Sequence, residues 1–147
     1  MQKFTFIFML VLLIGCTSYA QKNNPMEKAV KSTLAQYLQA GDQNDSEGLD
    51  PHMHAAFRVA LYDGKEDIVK TLDRETYRTL IGNKTFGGYP RTADYQSIHF
   101  IGAHMATVQV VLTSPGKPTL KNFYSLAKVG AQWQVIQDFV TMVPVEK

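Results

Sequence analysis

Met26, Val30, Leu34, Tyr37, Leu38 and Gly41 recur at intervals of three and four, which places them on one face of a helix of about four turns. Asn24 stands where a helix cap belongs, Pro25 suits the first helical position, and Glu27 falls three residues after the cap. Gly41-Asp42 ends this pattern, and residues 45–49 predict the start of a short second helix that Pro51 limits. Residues 57–62 and 68–72 read as extended. Asp73 then caps another helix, whose buried stripe is Tyr77, Leu80 and Ile81 and which Gly82 stops. Residues 83–91, with Gly87, Gly88 and Pro90 among polar neighbours, read as an exposed loop.

From residue 95 the period changes to two. Segments 95–101, 105–113, 120–129 and 133–143 are rich in β-branched and aromatic residues. They are separated by Gly102-Ala103, Ser114-Pro115-Gly116 and Gly130-Ala131, and the last of these fits a two-residue hairpin turn with glycine first. Helices gathered early and a four-strand meander late predict an α+β domain with helices on one face of an antiparallel sheet. Alternation in the meander puts Phe123, Ser125 and Ala127 inward on one strand and Ile136, Asp138 and Val140 inward on the next. Val108, Val110 and Leu112 line a third, and Tyr124, Leu126, Val135, Gln137 and Phe139 face outward.

The first residues carry an address. Lys3 precedes an apolar run over positions 4–15, too short for a membrane-spanning helix but suited to a signal peptide. Ser18-Tyr19-Ala20 is a small-x-small cleavage site, whereas Leu13-Ile14-Gly15-Cys16 resembles a bacterial lipobox with Cys16 as the lipidated residue. The expected organisation is a signal peptide over 1–20, a polar leader over 21–25 and one domain over 26–147. The product is exported, periplasmic or secreted, with lipid anchoring at Cys16 as the alternative, and no transmembrane span is expected.

Composition narrows the function. Of 147 residues 45% are apolar, enough for one domain with a real core. A net charge of +2, from 15 Lys+Arg against 13 Asp+Glu, gives no electrostatic case for nucleic acid. One cysteine excludes a disulfide framework and a cysteine-based zinc site. His52 and His54 have a His-x-His spacing, with His99 or His104 as a third candidate, but no other signature supports a metal, and none is expected. Arg74, Arg78, Lys84 and Arg91 read as an ordinary solvated surface because opposite charges alternate nearby.

Three pieces in this order, residues 37–42 (Tyr-Leu-Gln-Ala-Gly-Asp), residues 53–57 (Met-His-Ala-Ala-Phe) and the strand pair 122–129 and 132–136, resemble the NTF2-like (cystatin-related) superfamily. Within it the likeness is to the exported bacterial group called putative lumazine-binding or SnoaL-like proteins. The resemblance implies a cone, a curved antiparallel sheet wrapped around N-terminal helices. It further implies an apolar interior for a small-molecule ligand and a homodimer made through the outer sheet face. It implies no cofactor. The chain departs from the group at Ala55-Ala56, where Pro-Asp usually follows the histidine.

Placed on that cone, the expected ligand-binding residues are Tyr37, His54, Ser125 and Asp138, with no catalytic residue assigned. Set beside ketosteroid isomerase, Tyr37 falls at the oxyanion tyrosine, but Leu61 and Ser125 fall where its base and its protonated acid belong. Set beside scytalone dehydratase, His54 or His99 with Asp138 would form a dyad. The reading is a binder of a small aromatic or heterocyclic molecule without turnover. Its rivals are a cofactor-free dehydratase or isomerase using His54 and Asp138, and a structural module whose cone is filled by its own side chains.

Overall fold

The computed structural model describes residues 24–64 and 66–143, so the expected signal peptide over 1–20 with its two processing signals lies outside the described residues. Helix α1 spans Pro25–Asp42, and the Asn24 side chain caps it by accepting from the Met26 amide at 3.0 Å. Glu27 does not turn back to the cap; it pairs with Lys31 one turn on, at 2.7 Å. The predicted second helix is a run of turns ending in one 3₁₀ turn, Asp50–His52, around Pro51. Strand β1 (Met53–Asp63) and strand β2 (Ile68–Asp73) form a hairpin. Helix α2 (Arg74–Gly82) follows, and Asp73 caps it by accepting from the Thr76 amide at 2.8 Å. Strands β3 (Thr92–Ile101), β4 (Met105–Thr113), β5 (Thr119–Val129) and β6 (Gln132–Val143) complete the meander.

The six strands form one sheet in the order β2-β1-β6-β5-β4-β3. Every neighbouring pair is antiparallel except β1 and β6, which run parallel in the middle. The fold class is thus α+β as expected, with one parallel pair inside an otherwise antiparallel sheet. α1 and α2 cover the inner face, where Val30, Leu34, Phe57, Val108, Leu126 and Val135 are fully buried. Burying each such side chain contributes roughly 1.5–3 kcal/mol.

One irregularity sets which residues of β5 and β6 face inward. In β6, Gln137 pairs with Ser125 but Val135 pairs with Leu126, so Ile136 is an extra residue in the ladder. This bulge lets Trp133 and Val135 on one side of it, and Asp138 on the other, all point into the core. The pairings Tyr124↔Asp138 and Asn122↔Val140 then carry Asn122, Tyr124 and Leu126 inward. The predicted facing of β5 is therefore reversed, and that of β6 is right only beyond the bulge. Phe123, Ser125 and Ala127 belong to the outer face. The inward set predicted for β4 (Val108, Val110, Leu112) is buried.

Candidate functional site

At the closed end of the cone the interior is filled. Tyr37 on α1 packs edge-on to Tyr124 and tilted against Phe57, with ring centroids 6.0 Å apart in both cases, and lies nearly parallel to Tyr77 at 6.3 Å. Toward the other end the packing opens into a cavity of about 180 Å³. Its walls include Val59 and Leu61 of β1, Tyr77 and Ile81 of α2, Leu120 and Asn122 of β5, and Asp138, Val140 and Met142 of β6. Phe86, Gly87, Tyr89 and Arg91 close it from the 83–91 loop.

That loop is exposed at residues 83–85, Gly88 and Pro90, as the sequence predicted, and its other residues are half-buried because it is also a fastened cover. Asn44 donates through Nδ2 to the carbonyls of Ile81 and Phe86 at 2.9 and 2.6 Å, and the Gly88 amide donates to the Gly41 carbonyl at 3.2 Å. Gly87 has φ +69°, and a Cβ there would meet the Gly41 oxygen at 2.1 Å, so only glycine fits. The Lys117 ammonium lies 4.9 Å from the Tyr89 ring centroid. Arg91 anchors the loop's far end: Nε and the backbone amide donate to the Asp42 carboxylate at 2.5 and 3.1 Å, and Nη2 to the Leu38 carbonyl at 3.3 Å. The pair is mostly buried, with side-chain exposures of 12% for Arg91 and 16% for Asp42. α1 has no basic residue in its last turn, so Arg91 supplies the positive charge that its C-terminus lacks.

Asp138 is the polar centre of the cavity wall. It is 3% exposed and has no ion-pair partner among the described residues. Asn122 Nδ2 donates to its Oδ1 at 2.8 Å, while the Tyr37 hydroxyl stands 3.5 Å from Oδ2, too long for more than a weak contact. Burial pushes the Asp138 carboxyl from the ordinary 3.8 to about 7. The Asn122 hydrogen bond, the Arg91 charge and the Tyr37 hydroxyl offset only part of that rise. Burial, together with this neighbouring acid, also raises the surrounding phenols, Tyr77 to about 12 and Tyr37 and Tyr124 well above the usual tyrosine range. All three stay protonated in neutral solution.

Of the four residues expected to bind ligand, Asp138 alone lines the cavity. Tyr37 sits behind it as a 2%-exposed core aromatic that reaches toward the carboxyl. Ser125 lies on the outer face, opposite in parity to Tyr124 and Leu126. His54 is opposite in parity to Met53, Phe57 and Val59, accepts from the Ala56 amide at Nδ1, and lines a separate open cleft with Asp50, Arg58 and Arg74. The proposed His54–Asp138 dyad is therefore not assembled. Among the described residues no three His, Cys, Asp or Glu side chains gather as metal ligands. Sequence reasoning missed Asn122 and Arg91. An asparagine interrupting an inward-facing apolar run is a readable signal for the first, but only with the register known.

A sequence profile of the family described as "Putative lumazine-binding" matches residues 25–139. The chain belongs to this family. Among solved structures it is similar to an NTF2-like protein from Shewanella baltica OS155, at 20% identity and a TM-score of 0.71 over 88% of this chain and 99% of that one. An NTF2-like protein from Cytophaga hutchinsonii is 18% identical, with a TM-score of 0.68 over 82% of this chain and 99% of that one. A ketosteroid isomerase-like protein from Erwinia carotovora atroseptica is 12% identical, with a TM-score of 0.66 over 83% and 99%. At such identities the likeness establishes the NTF2-like fold. No curated protein matches the chain.

Proposed function

We propose that this family member is exported and holds a small aromatic or heterocyclic molecule in the cavity at Asp138, without turning it over. The observation that carries the reading is the cavity itself: about 180 Å³, walled mainly by apolar side chains, with Asn122 and Asp138 bonded to each other on its sheet wall. An apolar cavity of about 150 Å³ takes up benzene, so one ring or two small fused rings fit here, and any larger substituent passes out by the mouth. The family's description supports a ligand-binding role in general terms. The absence of turnover rests on neither His54 nor His99 lining the cavity, which leaves the carboxyl without the imidazole that the dehydratase reading requires.

The isomerase reading keeps one supporting observation, a carboxyl that titrates near neutrality beside a tyrosine, as proton transfer demands. Dimerisation through the outer sheet face is part of the proposal. It is supported by Phe123 and Phe139, whose rings lie 6.3 Å apart on that face, Phe139 being about half exposed. Native mass spectrometry of the protein purified from its own host tests the whole reading. The expected species is a processed dimer, beginning at Gln21 or at a lipidated Cys16, that retains a small molecule. Protein that carries nothing and takes up no aromatic fragment at millimolar concentration overturns it.

A further inference from the structure

The polar side of the cavity is uneven in what it leaves unmet. Asn122 and Asp138 sit on adjacent strands of the inner face, and the bond from Asn122 Nδ2 to Asp138 Oδ1 uses one donor and one acceptor. With the carboxyl ionised the amide lies this way round, because its oxygen turned toward the carboxylate would face another oxygen. Two acceptors remain. Among the described residues the Asn122 side-chain oxygen, buried in a residue only 6% exposed, has no partner. Asp138 Oδ2 has, among the described residues, only the long Tyr37 contact. The one arginine on the wall is already committed to Asp42 and to the Leu38 carbonyl. A buried acceptor left open costs about 1–3 kcal/mol, which a hydrocarbon ligand cannot relieve and an N–H donor can.

Resting on the small-molecule reading above, we infer that the cavity selects a flat, weakly basic nitrogen heterocycle bearing an amino group, its N–H donors meeting Asp138 Oδ2 and, once the Asn122 side chain on the cavity wall shifts to uncover its buried oxygen, Asn122 Oδ1. Such a ring suits the carboxyl in either protonation state. One proton lies between Asp138 Oδ2 and the ring nitrogen, and whether it stays on oxygen or moves to nitrogen, the pair has the same net charge and the same number of hydrogen bonds. A second proton puts two protonated groups face to face. Loss of the single proton leaves a carboxylate against a nitrogen lone pair. Either change weakens the complex.

The test is calorimetric titration of the purified protein at pH 7 with 2-aminopyridine and with toluene, a ring of the same size without N–H donors. The expected result is binding about tenfold tighter for 2-aminopyridine, the worth of one charge-assisted hydrogen bond, with affinity falling on both sides of neutrality. In Asn122→Leu the preference shrinks to a few-fold while toluene binds at least as well as before. Toluene binding equally or more tightly in the unaltered protein overturns this inference and leaves the small-molecule reading standing. Binding of neither probe overturns both.

Discussion

Two aspartates, Asp138 on the cavity wall and Asp42 paired with the wall residue Arg91, meet opposite fates. Asp42, the last residue of α1, would place a negative charge at the negative end of a helix, and the fold answers with Arg91, brought back from 49 residues away. Asp138, in the middle of the sheet and more deeply buried, receives only an asparagine amide and is pushed to about 7. The first acid is a strut that ties the cover loop to the helix. The second is a buried group held without a cation, an arrangement that costs stability and makes sense where a ligand completes it.

The largest expected effect comes from breaking the strut. Arg91→Met leaves Asp42 mostly buried beside a helix terminus and should lower stability by about 3 kcal/mol in urea denaturation. A loss below about 1 kcal/mol would mean that the pair is effectively solvated and that the contrast with Asp138 is empty.

Asp138→Asn should act in the opposite direction. A carboxyl whose folded pKa exceeds its unfolded one binds its proton more tightly when folded. Its contribution is therefore whole below about pH 4, is lost as the pH rises through 7, and is level above that. The asparagine variant removes this dependence. It should be more stable than the parent by about 2 kcal/mol at pH 8, a discount on the roughly 4 kcal/mol that the full shift corresponds to, and no more stable at pH 4. Chemical denaturation of both proteins across that range reads the difference. A parent whose stability does not fall between pH 4 and pH 7 would place Asp138 in contact with water. The smallest effect belongs to His54→Ala, on the outer side of β1. It should change stability by less than about 0.5 kcal/mol and leave the affinity for 2-aminopyridine unaltered. A tenfold loss of affinity would return His54 to the site.

Much of the architecture was legible because its signals are short-ranged. The Asn24 and Asp73 caps form, the β4 limits are those predicted, and Gly130, at φ +61°, turns between Val129 and Gln132 as its place in the pattern required. The site was less legible. Asp138 emerged from alternation along β6, but the same counting placed Ser125 inside and Tyr124 outside. The strand-to-strand register cannot be read from either strand alone. Arg91 looked like one charge among several because nothing near it in the chain announces Asp42.

The sequence by itself determined the two α-helices, the hairpin turn at Gly130, the four-strand meander and the family. Each depends on side chains within a few positions of one another, where capping, periodicity and turn chemistry act. The tertiary structure decided which acid is neutralised and which is left open. One extra residue at Ile136 reverses every side chain on one side of it relative to the other. The parallel pairing of β1 with β6 and the return of Arg91 to α1 likewise bring together groups far apart in the chain. Contacts of that range are selected by packing of the whole domain, and no local pattern encodes them.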